Sequence, residues 1–437
     1  MRREKVVCFV NHTAETGGAE FALARLVHTL DRSEWHPVVV FGEEGPAVDL
    51  LRSRSIETYV IPLGAGLGKV RRESLGSLGG MGVGRCFAGV GYVLKLARFF
   101  CERGVELVHT NSMKAHVLGG LAARLRRIPL VWHLRDSLHP LCLPPLPLKG
   151  MRFLARCFPD AVVAVSKSVA RDALGEGGDE RAHVVYDGLG DDVFSARAGA
   201  PPGTGREART WTVGIAGRLC EWKGQHLFLE AAADLIEKGL DIRFEVLGGP
   251  LFGQERYAQR LKQFVASSGL SPHVFFRGFV SDVSTRIQSW DLLVHASTAP
   301  DPCPNVVIEA MAAGVPVVGA DGGGVPELLD GGACGFLFPM DDARALSQCI
   351  EAALNDEVRR VELAAAARER AERCFKAARV AREVEAVWGP LVDGRAYKRR
   401  AWPWVEGGIS APVSCEDWGH TRVPSNEPQM SRTTDSA

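Results

Sequence analysis

Short apolar runs recur through this chain, each closing on a glycine or polar turn and followed by apolar residues at helical spacing. Such runs read as strands at Lys5–Val10, Pro37–Phe41, Glu57–Ile61, Ala161–Val165 and His183–Tyr186, with two more ending near His109 and His133. Others follow at Trp211–Ala216, Arg243–Leu247, Val274–Phe276 and Leu292–His295. Continuous apolar runs suit strands covered on both faces, which requires a parallel sheet with helices above and below. Intervening stretches such as Ala19–Leu30, apolar at Phe21, Leu23, Leu26, Val27 and Leu30, supply that cover. The alternation predicts doubly wound α/β architecture. Residues 196–210 (ARAGAPPGTGREART) have the composition of a linker, and 437 residues exceed one ordinary core. Two domains are therefore expected, 1–195 and 211–374, followed by a helix at 375–393 and a polar tail from 394 that is expected to be mobile.

Composition narrows the partners. Formal net charge is zero, so the molecule carries no nucleic-acid signature. Residues 1–190 hold 25 Lys/Arg against 19 Asp/Glu, a basic bias balanced by the remainder. The 11 cysteines form no C-x-x-C pair or metal-ligand spacing, and Cys8 and Cys349 fall in apolar runs. A reducing cytoplasm is the expected location. Val6–Val10 is too short for a signal-peptide core, and no run reaches the roughly 18 apolar residues of a membrane span.

The stretch from Asp301 to Gly319 holds the densest chemistry. It reads as a loop, a helix with Pro304 at its first position, a stop at Gly314 and a buried strand. The amides of Asn305, Val306 and Val307 then open a helix end suited to a phosphate, and Glu309 lies one turn on, placed to accept from sugar hydroxyls. Arg218 at a strand end and Lys223 at the next helix start form a cation pair suited to a diphosphate. In the first half, Gly17-Gly18 follows a strand and allows close backbone approach. Residues just past strand ends line the ligand crevice of an open parallel sheet, which puts His12, His109, Asn111, His133, Arg135 and Asp136 on one rim. The glycine-rich stretch 64–91, with Lys69, Arg71, Arg72 and Arg85, is too long for a plain connection and reads as either mobile or an acceptor-side loop. Lys149, Arg152 and Arg156 share a helix face beside the apolar, proline-rich 138–148.

The order of these motifs resembles glycosyltransferase family 4 (glycosyl transferases group 1) over about residues 4–390. The resemblance rests on Gly17-Gly18-Ala-Glu20, Ala164-Val-Ser166, Tyr186-Asp187-Gly188, Gly217-Arg218, Lys223-Gly224, Gly248-Gly249, Gly278-Phe-Val-Ser-Asp282, Asp291 to Ser297 and Glu309-Ala-Met-Ala-Ala-Gly. It implies the GT-B fold, two Rossmann-like domains facing across a cleft, with the 375–393 helix crossing back to the first. It also implies a retaining, metal-independent enzyme with no cofactor beyond its nucleotide-diphosphate-sugar donor. Glu309 would hold the ribose, Arg218 and Lys223 the diphosphate, and Asn305 to Val307 the phosphate or sugar. His133 would lie beside the transferred sugar. The family places a glutamate that meets the donor sugar where this chain has Asp301, so Asp301 would take that role; it has Phe-Gly where this chain has Cys303-Pro304.

The expected function is transfer of a sugar to a hydroxyl acceptor with retention, in polysaccharide or glycolipid biosynthesis. A saccharide or lipid-linked acceptor would meet His109, Asn111, Arg135 and Asp136, and the basic first half would touch the anionic inner face of the cell membrane. The alternatives are a sugar-nucleotide epimerase or phosphorylase of the same fold, and a non-catalytic nucleotide-sugar-binding protein.

Overall fold

The computed structural model describes residues 3–64, 83–195, 210–251, 253–280 and 282–394. The expected linker and tail, and most of the glycine-rich stretch with Lys69, Arg71 and Arg72, lie outside them. The end of that stretch is not a loop: a helix begins at Val83 and runs to Glu102, its later turns buried through Tyr92, Val93, Leu96, Phe99 and Phe100. Packing of that face outweighs the glycines at its start.

The described residues form two wholly parallel sheets within one compact unit. The first contains β1 (Lys5–Asn11), β2 (Trp35–Phe41), β3 (Glu57–Val60), β4 (Leu107–Thr110), β5 (Leu130–Leu134), β6 (Ala161–Ala164) and β7 (His183–Val184), in the order β3-β2-β1-β4-β5-β6-β7. The second contains β8 (Trp211–Ala216), β9 (Ile242–Leu247), β10 (Val274–Gly278), β11 (Leu292–His295), β12 (Val317–Asp321) and β13 (Phe336–Pro339), ordered β10-β9-β8-β11-β12-β13. Strand order reverses beside β1 and beside β8, and a crevice opens at the carboxyl ends of the strands at each reversal. β13 was not among the expected strands; four residues closing on a proline carry too little period to declare themselves.

Apolar packing runs across both domains. One continuous core joins Leu134, Leu174 and Leu189 of the first to Val307, Met311 and Phe375. The last described helix, Ala377–Val392, buries Val380, Val384, Val387 and Trp388 against Val7, Phe9 and Trp35. The Trp388 ring lies 5.1 Å from Trp35 and 5.6 Å from Phe9, edge to face. The last described helix thus completes the core built at the start of the chain.

Candidate active site

Gly224 positions the first cation. Its φ is +69°, and a Cβ there would lie 1.8 Å from the Ala296 carbonyl oxygen. Only glycine lets the turn Glu221–Lys223 close against the end of β11. Lys223 is thereby delivered to Asp301: its ammonium pairs with Oδ2, which also meets His295 Nε2 at 2.9 Å. Asp301 is 5% exposed. Burial pushes its carboxyl up, but the Lys223 charge and the His295 hydrogen bond outweigh that and hold it well below the ordinary aspartate value. The expected diphosphate cation is therefore neutralised by the expected sugar-contacting acid. Sequence spacing could not show it, because the two residues are 78 positions apart. Arg218 lies half-buried just past β8, its carbonyl accepting from Gln225 Nε2 at 3.0 Å.

The helix after Asp301 starts one residue later than expected: Pro304 is the cap and Asn305–Ala313 the helix, ended by Gly314 at φ +71°. Of its opening amides, that of Val307 already donates to the Pro304 carbonyl, at 3.0 Å, and so is not an open phosphate donor. Val306 is half-buried beside it. Asn305 does something the sequence could not reveal. Its Nδ2 donates across the domains to the Gly18 carbonyl at 3.0 Å, while its Oδ1 is buried without a partner. The Gly17-Gly18 turn and the Asn305 helix end therefore meet. Glu309, one turn on, is half-buried; burial pushes its carboxyl up, against the pull of the Arg25 guanidinium. Arg25, from the helix Gly18–Thr29, leaves buried Nε and Nη2 unpartnered. Nothing in the sequence distinguished it from other arginines on a helix.

Along the rim of the first sheet the expected residues lie past the strand ends, except for two histidines: His109 lies inside β4 and His133 inside β5, both wholly buried. His12 follows β1 and meets Ser112 Oγ through Nδ1 at 2.7 Å. Asn111 is buried with both side-chain polar atoms unpartnered. Arg135 pairs with Asp187 through Nη1, leaving Nε and Nη2 unpartnered. Glu20 accepts from Asn11 at 3.2 Å; burial first, and then Asp136 nearby, push its carboxyl up. The first of the two buried histidines is His109. It sits inside β4 rather than past its end, wholly buried behind His133, so it is not an acceptor-side rim residue. Trp388 Nε1 donates to His109 Nδ1 at 3.1 Å, and His109 Nε2 lies 3.1 Å from His133 Nδ1. Burial, reinforced by the Arg135 charge, pushes both imidazoles well below the ordinary histidine value.

Glu327 fastens the two domains beside this site. Its carboxylate accepts from the amides of Lys167 and Ser168 at 2.8 and 2.7 Å, and from the Tyr186 hydroxyl at 3.1 Å. No group of three or more metal-ligating side chains occurs among the described residues, and no described helix is long and apolar enough to cross a membrane.

Two family models match the chain in tandem, Glycosyltransferase Family 4 over residues 16–192 and Glycosyl transferases group 1 over residues 201–372. This chain belongs to the family 4, group 1 glycosyltransferases. Among solved structures, Anabaena HepE in complex with UDP and glucose superposes with a TM-score of 0.74 at 28% identity, covering 88% of this chain and 99% of that one. Sucrose-phosphate synthase from Thermosynechococcus elongatus, 18% identical, shares the fold at a TM-score of 0.71 over 90% of this chain and all of its own. The architecture is GT-B. The lipopolysaccharide core biosynthesis mannosyltransferase LpsB of Rhizobium meliloti is 30% identical over 185 residues, 41% of this chain and 52% of that protein. Spore coat protein SA of Bacillus subtilis is 30% identical over 178 residues, 40% of this chain and 47% of that protein. The matched stretch thus spans about half the length of these curated relatives.

Proposed function

We propose that this glycosyltransferase moves a sugar from a nucleotide-diphosphate sugar to a hydroxyl acceptor with retention of configuration, in polysaccharide or glycolipid biosynthesis. One observation carries the reading. Buried polar atoms without partners come from the expected site residues of both domains, which meet at the Asn305–Gly18 contact: Asn111, His133 and Arg135, joined by Arg25, from the first, and Asn305, joined by His295, from the second. Orphaned buried groups are costly unless a ligand satisfies them. A sugar nucleotide offers many acceptors and donors, and the UDP, UDP-glucose and glucose bound by the Anabaena relative have that chemistry.

In this reading Glu309 takes the ribose hydroxyls and Arg218 the diphosphate. Lys223 turns from Asp301 towards the phosphates when the donor enters, and Asp301 then accepts from a sugar hydroxyl. The bond between the anomeric carbon and the phosphate oxygen breaks as the acceptor oxygen attacks from the same face. The acceptor proton passes to the departing phosphate oxygen. Cations beside the leaving group supply the electrostatic stabilisation, and no metal is required. Closure of the domains excludes water and prevents donor hydrolysis. A thermal-shift series with UDP, GDP, ADP and UDP-glucose tests the donor. A ligand at about a hundred times its Kd adds about 2.7 kcal/mol to native stability. A melting point unmoved by all of them sinks the proposal, and an inverted anomeric centre in the product sinks retention.

The acceptor is proposed to be lipid-linked and met at an anionic membrane face. Leu146, Lys149, Phe153 and Arg156 form one exposed stripe on the helix Pro145–Cys157, with exposed Leu141 before it. Arg152, expected on that face, instead donates to the Leu138 carbonyl at 2.8 Å and pins the preceding loop. Basic and apolar side chains alternating on one exposed face suit an interface of anionic lipid. Co-sedimentation with phosphatidylglycerol vesicles should fall several-fold in Phe153→Ser/Lys149→Glu, with phosphatidylcholine vesicles as control. Equal binding by the double variant removes this helix from the membrane contact.

A further inference from the structure

We infer that Trp388 and His109 form a relay that fixes the tautomer of His133, so that His133 faces its ligand only as a hydrogen-bond donor. The inference deepens the donor-site reading above and rests on it for its kinetic part. Trp388 Nε1 is a donor with no acceptor capacity. Placed 3.1 Å from His109 Nδ1, it requires a lone pair there. A neutral His109 then carries its proton on Nε2, which lies 3.1 Å from His133 Nδ1. His133 Nδ1 must accept, so the remaining proton of His133 sits on Nε2. That nitrogen is buried and has no partner in the protein.

Protonating either imidazole would set two N–H groups against each other, at the His109–His133 contact or at the Trp388–His109 contact. The three rings are wholly buried, so water cannot relieve the conflict. Aromatic packing holds the geometry: the His109 ring lies 5.5 Å from Trp388, 5.2 Å from His133 and 4.9 Å from Phe9. His133 therefore cannot take a proton from an acceptor hydroxyl. It offers one N–H to an oxygen of the sugar nucleotide. The proton's position is set by an indole on the last described helix, 255 residues downstream of His133. Trp388 and His109 are positioning residues; neither touches the ligand.

Ring-nitrogen NMR on the ligand-free protein labelled in histidine tests the relay without any turnover. The expected spectrum has His133 Nε2 proton-bearing (pyrrole-type) and Nδ1 bare (pyridine-type), unchanged from pH 8 to pH 5.5. A His133 ring protonated on Nδ1, or one that titrates in that interval, overturns the inference. Kinetics supply a second readout. Trp388→Phe keeps an aromatic ring at this position but removes the donor, and His109→Leu removes both relay bonds. Each should lower kcat about tenfold, the loss of one ligand hydrogen bond, with a much smaller change in donor KM. His109→Gln, whose amide can accept from Trp388 and donate to His133, should recover most of the rate. Wild-type kcat in folded Trp388→Phe and His109→Leu overturns the positioning role. If no donor is turned over even by wild type, the transferase reading fails while the spectrum still decides the tautomer.

Discussion

At the residue scale, Asp301 stands where the family has a glutamate and yet is engaged by two partners. One carboxylate oxygen serves both Lys223 and His295 in a buried setting. Breaking such a pair leaves a buried charge uncompensated, and Asp301→Asn should cost roughly 3 kcal/mol at pH 7. The pH dependence has a definite sign. A carboxyl held below its ordinary value contributes stability that is complete above the unfolded aspartate value of about 3.9 and is lost as pH falls towards the folded one. Urea titrations of wild type and Asp301→Asn should therefore differ most at pH 7, with the gap narrowing progressively as pH falls below about 4. A gap of unchanged size from pH 7 down to about pH 2.5 would place the cost elsewhere. Lengthening the acid probes a different property: Asp301→Glu, with one more methylene, should retain transfer and alter donor-sugar preference. That Asp301 and Glu309 flank one helix start was legible in the sequence. That Asp301 answers to Lys223 was not, because an ion pair between distant residues leaves no local signature.

At the element scale, the helix Lys167–Leu174 shows how one domain finishes the other. Ser166 caps it in the ordinary way, accepting from the Val169 amide at 3.2 Å. The amides of Lys167 and Ser168, which the helix itself cannot satisfy, are taken by Glu327 from the second domain. The negative carboxylate also sits at the positive end of the helix dipole. Glu327→Ala should cost about 1 kcal/mol in stability, in line with the loss of an N-cap. More tellingly, it should raise donor KM and increase the radius of gyration measured by small-angle scattering, as the domains part more readily. An unchanged scattering profile and KM would reduce Glu327 to a local cap. Strand and helix positions were legible to within a residue or two, since apolar period and glycine stops are local signals. The strand Phe336–Pro339 and the helical start at Val83 were not, because tertiary cover decided both.

At the scale of the whole molecule, the two sheets do not stand apart. The continuous core from Leu134 and Leu174 to Val307 and Phe375, and the helix Ala377–Val392 packed under the first sheet, tie the second half of the chain to its beginning. The expected calorimetric trace is one cooperative transition rather than two, moving as a unit when a nucleotide diphosphate binds. Two resolved transitions, only one of them ligand-sensitive, would show that the interface couples the domains weakly. This coupling also makes the relay through Trp388 feasible, because the helix that supplies the indole is buried in the first domain's own core.

Alone, the sequence determined the class of fold, the order of the strands' carboxyl-end motifs and the residue types placed at them. Those follow from local physics: apolar period, turn chemistry and the spacing of charges around a helix start. Only the tertiary structure decided which of these residues face one another. Lys223 met Asp301, Asn305 reached Gly18, Arg25 came to Glu309, and His109 withdrew behind His133. Each of these pairings is set by how two sheets and one returning helix pack. Packing over hundreds of residues is a property that no local pattern encodes.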